Sequence, residues 1–432
     1  MKKIVARSLL PTMGLVVVAL VAAGSYALIP AGAASRASAS TPSPAATASP
    51  PDSPSTSPST SASPSNSPST SPSPTASPTP PPPLTVVAVW PRAKARNVSF
   101  ASAIKIRFSA ALATDTPLPK LTPTVPGSWK IVGGVLLVFV PKGHLPIYTK
   151  VSVTFPGGAH GVSAVDGARL KAGGTFSFTV GGPSSTLRLQ QLLAELGYLP
   201  LRFEIPVVSK TSGSQAQGTT AKTKYVAAIA HEPRTLDLLP LKPRTGIFVW
   251  RYRHIPRTLA VLWRPRRSTT LIRGAVMAFE SDHKLADDGV VGRKVWVALL
   301  TATARHSVSK RAYDYIEVST SIPETLRVWR NGRVIYSSAT NTGIAARPTP
   351  HGTFVVYARF LSTTMSGTNP NGSHYSDPGV PYVAYFNGGD AVHGFLRGSY
   401  GWPQSLGCVE LPYGPAAVVF RYDPIGTLVT VS

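Results

Sequence analysis

From Ser35 to Pro83 the chain is almost wholly Ser, Thr, Pro and Ala, with Arg36 and Asp52 its only charges. Such a segment has no apolar surface to bury and cannot repay the entropy of ordering. Residues 35–83 are therefore expected to be a disordered linker, at about 3 Å per residue and reaching on the order of 100 Å. Every core the chain builds must come from residues beyond Pro83. Upstream, Lys2, Lys3 and Arg7 precede an uncharged, mostly apolar run from Ser8 to Ala34 that contains Ala31-Gly32-Ala33. Residues 1–34 read as a secretory signal peptide. Left uncut, the run is also long enough to be an N-terminal membrane anchor. Both readings place the bulk of the chain outside the cytoplasmic membrane, secreted or anchored, with membrane contact only through this segment.

The remainder is too long for one core and is expected to be multidomain and mainly β. Over residues 84–182, Ile104–Phe108, Val151–Phe155 and Thr175–Val180 alternate apolar and polar residues, and Leu136–Val140 is continuously apolar. Gly133-Gly134, Gly157-Gly158 and Gly173-Gly174 stand between them at turn positions. Several short strands over about a hundred residues predict a small β-sandwich. It resembles the bacterial immunoglobulin-like (Ig-like) modules, and its residues suggest a spacer or docking role.

Residues 185–302 carry helical patterns. Leu189, Leu192, Leu193 and Leu196 fall at i, i+3, i+4 and i+7, with Gly197 as the stop. A second helix around Ala275–Glu280 leads through Asp287-Asp288-Gly289-Val290-Val291-Gly292 to a third around Val295–Leu300. The Leu-Gln helix ending in Gly-Tyr, the buried Phe, the Asp-Gly-x-x-Gly and the Trp helix resemble a peptidoglycan-binding-like module, divided by an insertion at 205–270. Leucine and Trp296 packing of a plain helical core accounts for the same residues.

That insertion holds twelve basic residues against two acidic ones, Glu232 and Asp237, and the whole chain carries a formal charge of +25. Arg251, Arg253, Arg257, Arg264, Arg266 and Arg267 cluster with Trp250, Tyr252 and Trp263. Arginine pairs with phosphate and stacks on aromatic rings. For an exported chain this favours an anionic wall polymer over nucleic acid as partner. A solvated hairpin face is the competing reading.

Cys408 is the only cysteine. It can form no internal disulfide, so it is either a small buried hydrophobe or a nucleophile. It closes the run Ser405-Leu406-Gly407-Cys408-Val409, and His393-Gly394 stands fifteen positions upstream, in loop range of it. A thiol at its free pKa is only a few per cent thiolate near neutrality, and a neighbouring histidine can take its proton and later return it to a leaving amine. Cys408 is thus the expected nucleophile and His393 the expected base and acid. The chemistry needs no metal and no cofactor.

The region 313–432 carries an ordered series: the strand from Tyr315, the Asn331-Gly332 hairpin signal, Thr349-Pro350-His351-Gly352-Thr353-Phe354, the extended Tyr382–Phe386, His393-Gly394, Ser405-Leu406-Gly407-Cys408-Val409 and Gly426-Thr427-Leu428-Val429. It resembles the L,D-transpeptidase (YkuD-type) catalytic domain. The resemblance implies a β-rich wall enzyme. It would cut the L,D bond before the terminal D-Ala of a donor tetrapeptide stem and pass the acyl group to the side-chain amine of an acceptor diamino acid. It also implies that a backbone carbonyl orients His393 and that Ser405 shapes the loop; Gly407 permits close backbone approach, so the Gly407 and Cys408 amides, with Leu406, are the expected oxyanion donors. Gly394 is expected to allow a tight turn after the histidine. Tyr385 and Tyr400 are candidates to contact substrate or to pack, and His351 and His374 are expected in loops.

Two positions depart from the family pattern. Leu406 stands where His or Lys is common, and Glu410 where Arg or Asn is common. A carboxylate facing Cys408 would raise its pKa; alternatively Glu410 contacts a cationic acceptor amine or pairs with a cation such as Arg397. The readings left open are therefore an L,D-transpeptidase, an L,D-carboxypeptidase using the same site with water, and a wall-binding protein whose catalytic domain has decayed. A sortase is disfavoured because no Thr-Leu-x-Thr-Cys strand is present, and a papain-like peptidase because it places Cys before His.

Overall fold

The computed structural model describes residues 81–208 and 223–432. The expected signal peptide or anchor at residues 1–34 and nearly all of the expected linker at 35–83 lie outside the described residues. The chain is mainly β with a few short helices. Among the described residues no helix is long and apolar enough to cross a membrane.

The first folded part has seven strands: β1 (Val86–Trp90), β2 (Ile104–Phe108), β3 (Lys120–Thr122), β4 (Gly127–Val132), β5 (Leu136–Pro141), β6 (Lys150–Phe155) and β7 (Gly174–Thr179). They form one sheet in the order β1-β2-β5-β4 and a second in the order β3-β6-β7. The period-2 pattern has its physical cause here: Ile104, Ile106 and Phe108 of β2, with Val151 and Val153 of β6, are buried in one core. Gly133 and Gly134, both at positive φ, turn β4 back into β5. Gly174 is not a turn residue as expected. It is paired with Phe155 in the sheet, and a Cβ on it would lie 2.6 Å from that ring.

The helical part contains α1 (Thr186–Glu195), strands β8 (Leu201–Val208), β9 (Thr223–Ala227) and β10 (Ile247–Trp250), the single turn α2 (Arg257–Ala260), α3 (Thr270–Asp282) and α4 (Arg293–Ala304). Ser185 caps α1 by accepting from the Arg188 amide, and Gly197 at φ +89° ends the helical segment. The expected amphipathic helix is instead buried nearly all round, because the insertion wraps its polar side. Gln190 bonds the backbone of Arg264, Arg266 and Arg267, and Gln191 makes two bonds to the backbone of Arg244. Arg188 donates to Glu195, Glu232 and the Pro240 carbonyl.

This alters the reading of the basic cluster. Arg251 turns inward to the carbonyls of Leu201 and Ala194, and burial lowers its pKa. Tyr252 packs edge-on against Trp329, and Trp263 against Phe248. Those aromatics are therefore packing residues. Arg253, Arg257, Arg264, Arg266 and Arg267 remain exposed.

The C-terminal part comprises β11 (Asp314–Ser319), β12 (Thr325–Arg330), β13 (Arg333–Ala339), β14 (Gly352–Val355), β15 (Ala358–Thr368), β16 (His374–Asn387), β17 (Asp390–Gly394), β18 (Val409–Leu411), α5 (Tyr413–Val419) and β19 (Leu428–Val431). One sheet runs β13-β12-β11-β19-β14 and the other β15-β16-β17-β18. Asn331 and Gly332, both at positive φ, form the β12–β13 turn. Ile316, Val318, Val392, Val409 and Val429 belong to the core of this part. The helices and this β region also share apolar packing: Tyr315, Trp329, Val355 and Leu428 belong to the same cluster as the leucines of α1 and Phe279 of α3. The seam is tight, since a Cβ on Gly274 would lie 2.7 Å from the Gly426 carbonyl oxygen.

Candidate active site

Parallel pairing of β17 with β18 places Val392 opposite Val409 and His393 opposite Glu410. Cys408 sits one residue before β18, so the ladder itself brings the thiol loop alongside the histidine strand. His393 is thus a strand residue rather than a loop residue as expected. His393 and Cys408 line one cavity of about 740 Å³, with Tyr385, Leu406, Asp390 and Glu410 also in its wall. They do not hydrogen-bond to one another; the half-buried thiol points its S–H toward the Gly389 carbonyl at 3.8 Å.

The imidazole of His393 is buried and its Nδ1 lies 3.1 Å from the Gly394 carbonyl. A carbonyl only accepts, so this bond puts the ring proton on Nδ1 and leaves the Nε2 lone pair available. Burial holds the imidazole pKa below 6.5. His393 is therefore neutral near pH 7, as a base must be. Gly394 is not a turn: it ends β17 without positive φ, and a Cβ there would lie 3.0 Å from both Pro381 and Tyr413. Its small size admits α5 close to the strand, and its carbonyl orients the histidine.

The thiol loop is held from Ser405. Its Oγ donates to the Cys408 carbonyl at 2.6 Å and accepts from the Gly407 amide at 3.2 Å. The Gly407 amide, one of the three expected oxyanion donors, is thereby occupied by the Ser405 hydroxyl. Gly407 sits at φ +120°, and a Cβ on it would lie 2.3 Å from Asp390 Oδ1. The thiol pKa is pushed up to about 12, first by burial and then by Asp390 and Glu410, against a lowering hydrogen bond from the Ala391 amide. A thiol held above its usual range needs a base to take its proton before it can act as a nucleophile.

Glu410 is buried, and both its oxygens are bonded by Arg397, Nε and Nη2 each at 2.8 Å. Arg397 also stacks over Phe395 at 4.6 Å. Tyr385 lies in the cavity wall. Tyr400 does not: its hydroxyl accepts from the Arg397 amide and donates to the Phe395 carbonyl, bracing that loop. His351 precedes β14 in a loop, but His374 is the first residue of β16 rather than a loop residue. Sequence reasoning missed Arg347, Tyr375, Asp377 and Asp390, all in the cavity wall. Asp390, three residues before the histidine and just after Gly388-Gly389, was the one with a positional signal. Among the described residues no group of three or more His, Cys, Asp or Glu side chains is set to hold a metal.

Residues 313–431 match the L,D-transpeptidase catalytic domain (YkuD) family, and residues 79–180 match the bacterial Ig-like domain (Big_5) family. No curated protein matches the chain. Among solved structures, an L,D-transpeptidase from Mycobacterium smegmatis is 14% identical, with 81% of this chain and 100% of that one covered and a TM-score of 0.26. The L,D-transpeptidase 3 from Mycobacterium tuberculosis, in complex with a faropenem-derived adduct, is 13% identical over 80% and 97%, at 0.26. The catalytic domain of the E. faecium L,D-transpeptidase is 27% identical over 29% of this chain and 100% of that one, also at 0.26. Those TM-scores are too low to establish a shared whole-chain arrangement. The two family matches cover separate segments, one Ig-like and one L,D-transpeptidase in type.

Proposed function

We propose that this chain, whose residues 313–431 belong to the L,D-transpeptidase catalytic domain family, works outside the cytoplasm as a cysteine-dependent transpeptidase that crosslinks peptidoglycan stems. The observation that carries the cysteine chemistry is that Cys408 and His393 line one cavity, with the histidine neutral and oriented by the Gly394 carbonyl. In the first half-reaction His393 Nε2 takes the thiol proton as the sulfur attacks the carbonyl before the terminal D-Ala of a donor tetrapeptide. The carbon–sulfur bond forms, the carbon–nitrogen bond breaks, and the imidazolium returns the proton to the leaving amine. The Cys408 amide faces the developing oxyanion. In the second half-reaction an acceptor diamino acid amine attacks the thioester, its proton passes through His393 to the departing sulfur, and the crosslink is made.

The remaining parts are read as supports for that site. Residues 84–182 serve as a spacer or docking module, and 185–302 as a peptidoglycan-binding-like module fused to the 313–432 catalytic domain. The exposed arginines of 205–270 offer a contact for anionic wall polymer. Reversing the charge of Arg264, Arg266 and Arg267 tests this: binding to isolated walls weakens and loses its salt dependence if the contact exists.

The deciding experiment incubates the purified chain with a disaccharide-tetrapeptide and resolves the products by mass spectrometry. Crosslinked dimer supports the transpeptidase, tripeptide alone an L,D-carboxypeptidase, and unchanged substrate a binding protein without activity.

A further inference from the structure

The two carboxylates that raise the thiol pKa are held differently. Glu410 has both oxygens occupied by Arg397. Asp390 has only the Asn387 amide, donating to Oδ2 at 3.0 Å, and among the described residues it forms no ion pair. Arg347 lines the same cavity without reaching ion-pair distance. The free oxygen, Oδ1, stands over Gly407, one residue from the nucleophile, in a space that only glycine leaves open. The Gly388-Gly389 turn sets it there, with the Gly389 carbonyl receiving the thiol.

A negative charge in that place works against the first half-reaction, because it opposes formation of a thiolate. It suits the second, in which a cation has to come to the acylated sulfur. We infer that Asp390 is the acceptor-binding residue, receiving the side-chain ammonium of the incoming diamino acid beside Cys408. The inference rests on the reading of Cys408 as an acylated nucleophile. The docked ammonium gives one proton to the carboxylate and from there to solvent. The neutral amine then attacks the thioester carbon; the carbon–nitrogen bond forms, the carbon–sulfur bond breaks, and the second proton reaches the sulfur through His393. Water carries no charge for Asp390 to attract, so the residue favours the amine over water and shifts the partition toward crosslinking.

The test compares the full chain with Asp390→Asn and Asp390→Glu on a disaccharide-tetrapeptide, measuring the ratio of dimer to tripeptide. Acylation by a carbapenem is followed in parallel as a check that each site is folded. Asp390→Asn should still acylate, and faster than the native chain because the thiol loses an opposing charge. Its dimer-to-tripeptide ratio should fall roughly tenfold or more, the scale of a charge-assisted hydrogen bond. Asp390→Glu should recover part of the ratio. An Asp390→Asn variant that acylates and keeps the native ratio overturns the assignment of Asp390 alone. A native chain that is never acylated at Cys408 overturns the cysteine mechanism, and this inference with it.

Discussion

Arg397 grips both oxygens of Glu410, each at 2.8 Å, on the strand just after Cys408. The guanidinium thereby offsets a buried charge that would otherwise face the cavity. It explains how the chain tolerates a carboxylate two residues from Cys408. Arg397→Ala leaves Glu410 buried without its partner, so the thiol becomes harder to ionise and acylation by a carbapenem slows. The guanidinium is about one-third exposed (31%), which reduces the loss of stability to about 1–3 kcal/mol. Adding Glu410→Gln to Arg397→Ala should restore most of the acylation rate. A double variant no faster than Arg397→Ala argues against an electrostatic link.

The pH profile follows from His393. Its protonation removes the base, so acylation is lost as pH falls through the folded-state pKa. Burial lowers that pKa, and the acid midpoint of the acylation rate should therefore lie below 6.5. The free thiol, pushed up to about 12, should also react sluggishly with iodoacetamide, at a rate still rising at about pH 10. An acid midpoint above 6.5, or an alkylation plateau near neutrality, contradicts this electrostatic picture.

Gly407 and Ser405 shape the loop by different means. Gly407→Ala meets both the φ of +120° and the Asp390 oxygen. The strain is about 1–3 kcal/mol if unrelieved, so the loop shifts and acylation should drop by roughly tenfold or more. Ser405→Ala removes the bonds to the Cys408 carbonyl and the Gly407 amide, and should also slow acylation. Thermal denaturation separates a displaced loop from an unfolded chain: Tm should change less in Ser405→Ala than in Gly407→Ala.

Glu280 couples stability to pH. Its side chain is buried, Oε2 accepts from the Gly289 amide at 2.8 Å, and burial pushes its pKa up to about 7 from 4.5. The folded chain holds this proton more tightly than the unfolded chain. Its contribution is therefore complete below about 4.5 and is lost as pH rises through about 7. Tm should decline from about pH 5 to about pH 8, and Glu280→Gln should flatten part of that decline. An equal decline in the variant removes Glu280 as a cause.

What could be read from the chain itself differs by kind of interaction. Alternation at Ile104–Phe108 and the Asn331-Gly332 pair specify local geometry, so the strands and the hairpin were legible. The long β15–β16 hairpin was not, because Gly379 and Tyr382 at positive φ interrupt its period. Gln190 and Gln191 look like exposed helix residues; their bonds run to backbone carbonyls some 53 to 77 positions away, which no local pattern encodes. For the same reason the insertion's embrace of α1 and the apolar seam at Leu428 were hidden. The Cys408 and His393 motifs stood out by residue type, whereas Asp390 entered the cavity wall through a turn whose partner, Gly407, lies seventeen residues later.

The most direct measurement is peptide-mapped mass spectrometry of the full chain quenched during turnover with a disaccharide-tetrapeptide. The expected result is a thioester-linked disaccharide-tripeptide on the peptide containing Cys408, absent in Cys408→Ala and no longer accumulating in His393→Ala. Crosslinked product from Cys408→Ala, or an acyl group mapped to any other residue, would contradict the role given to that sulfur.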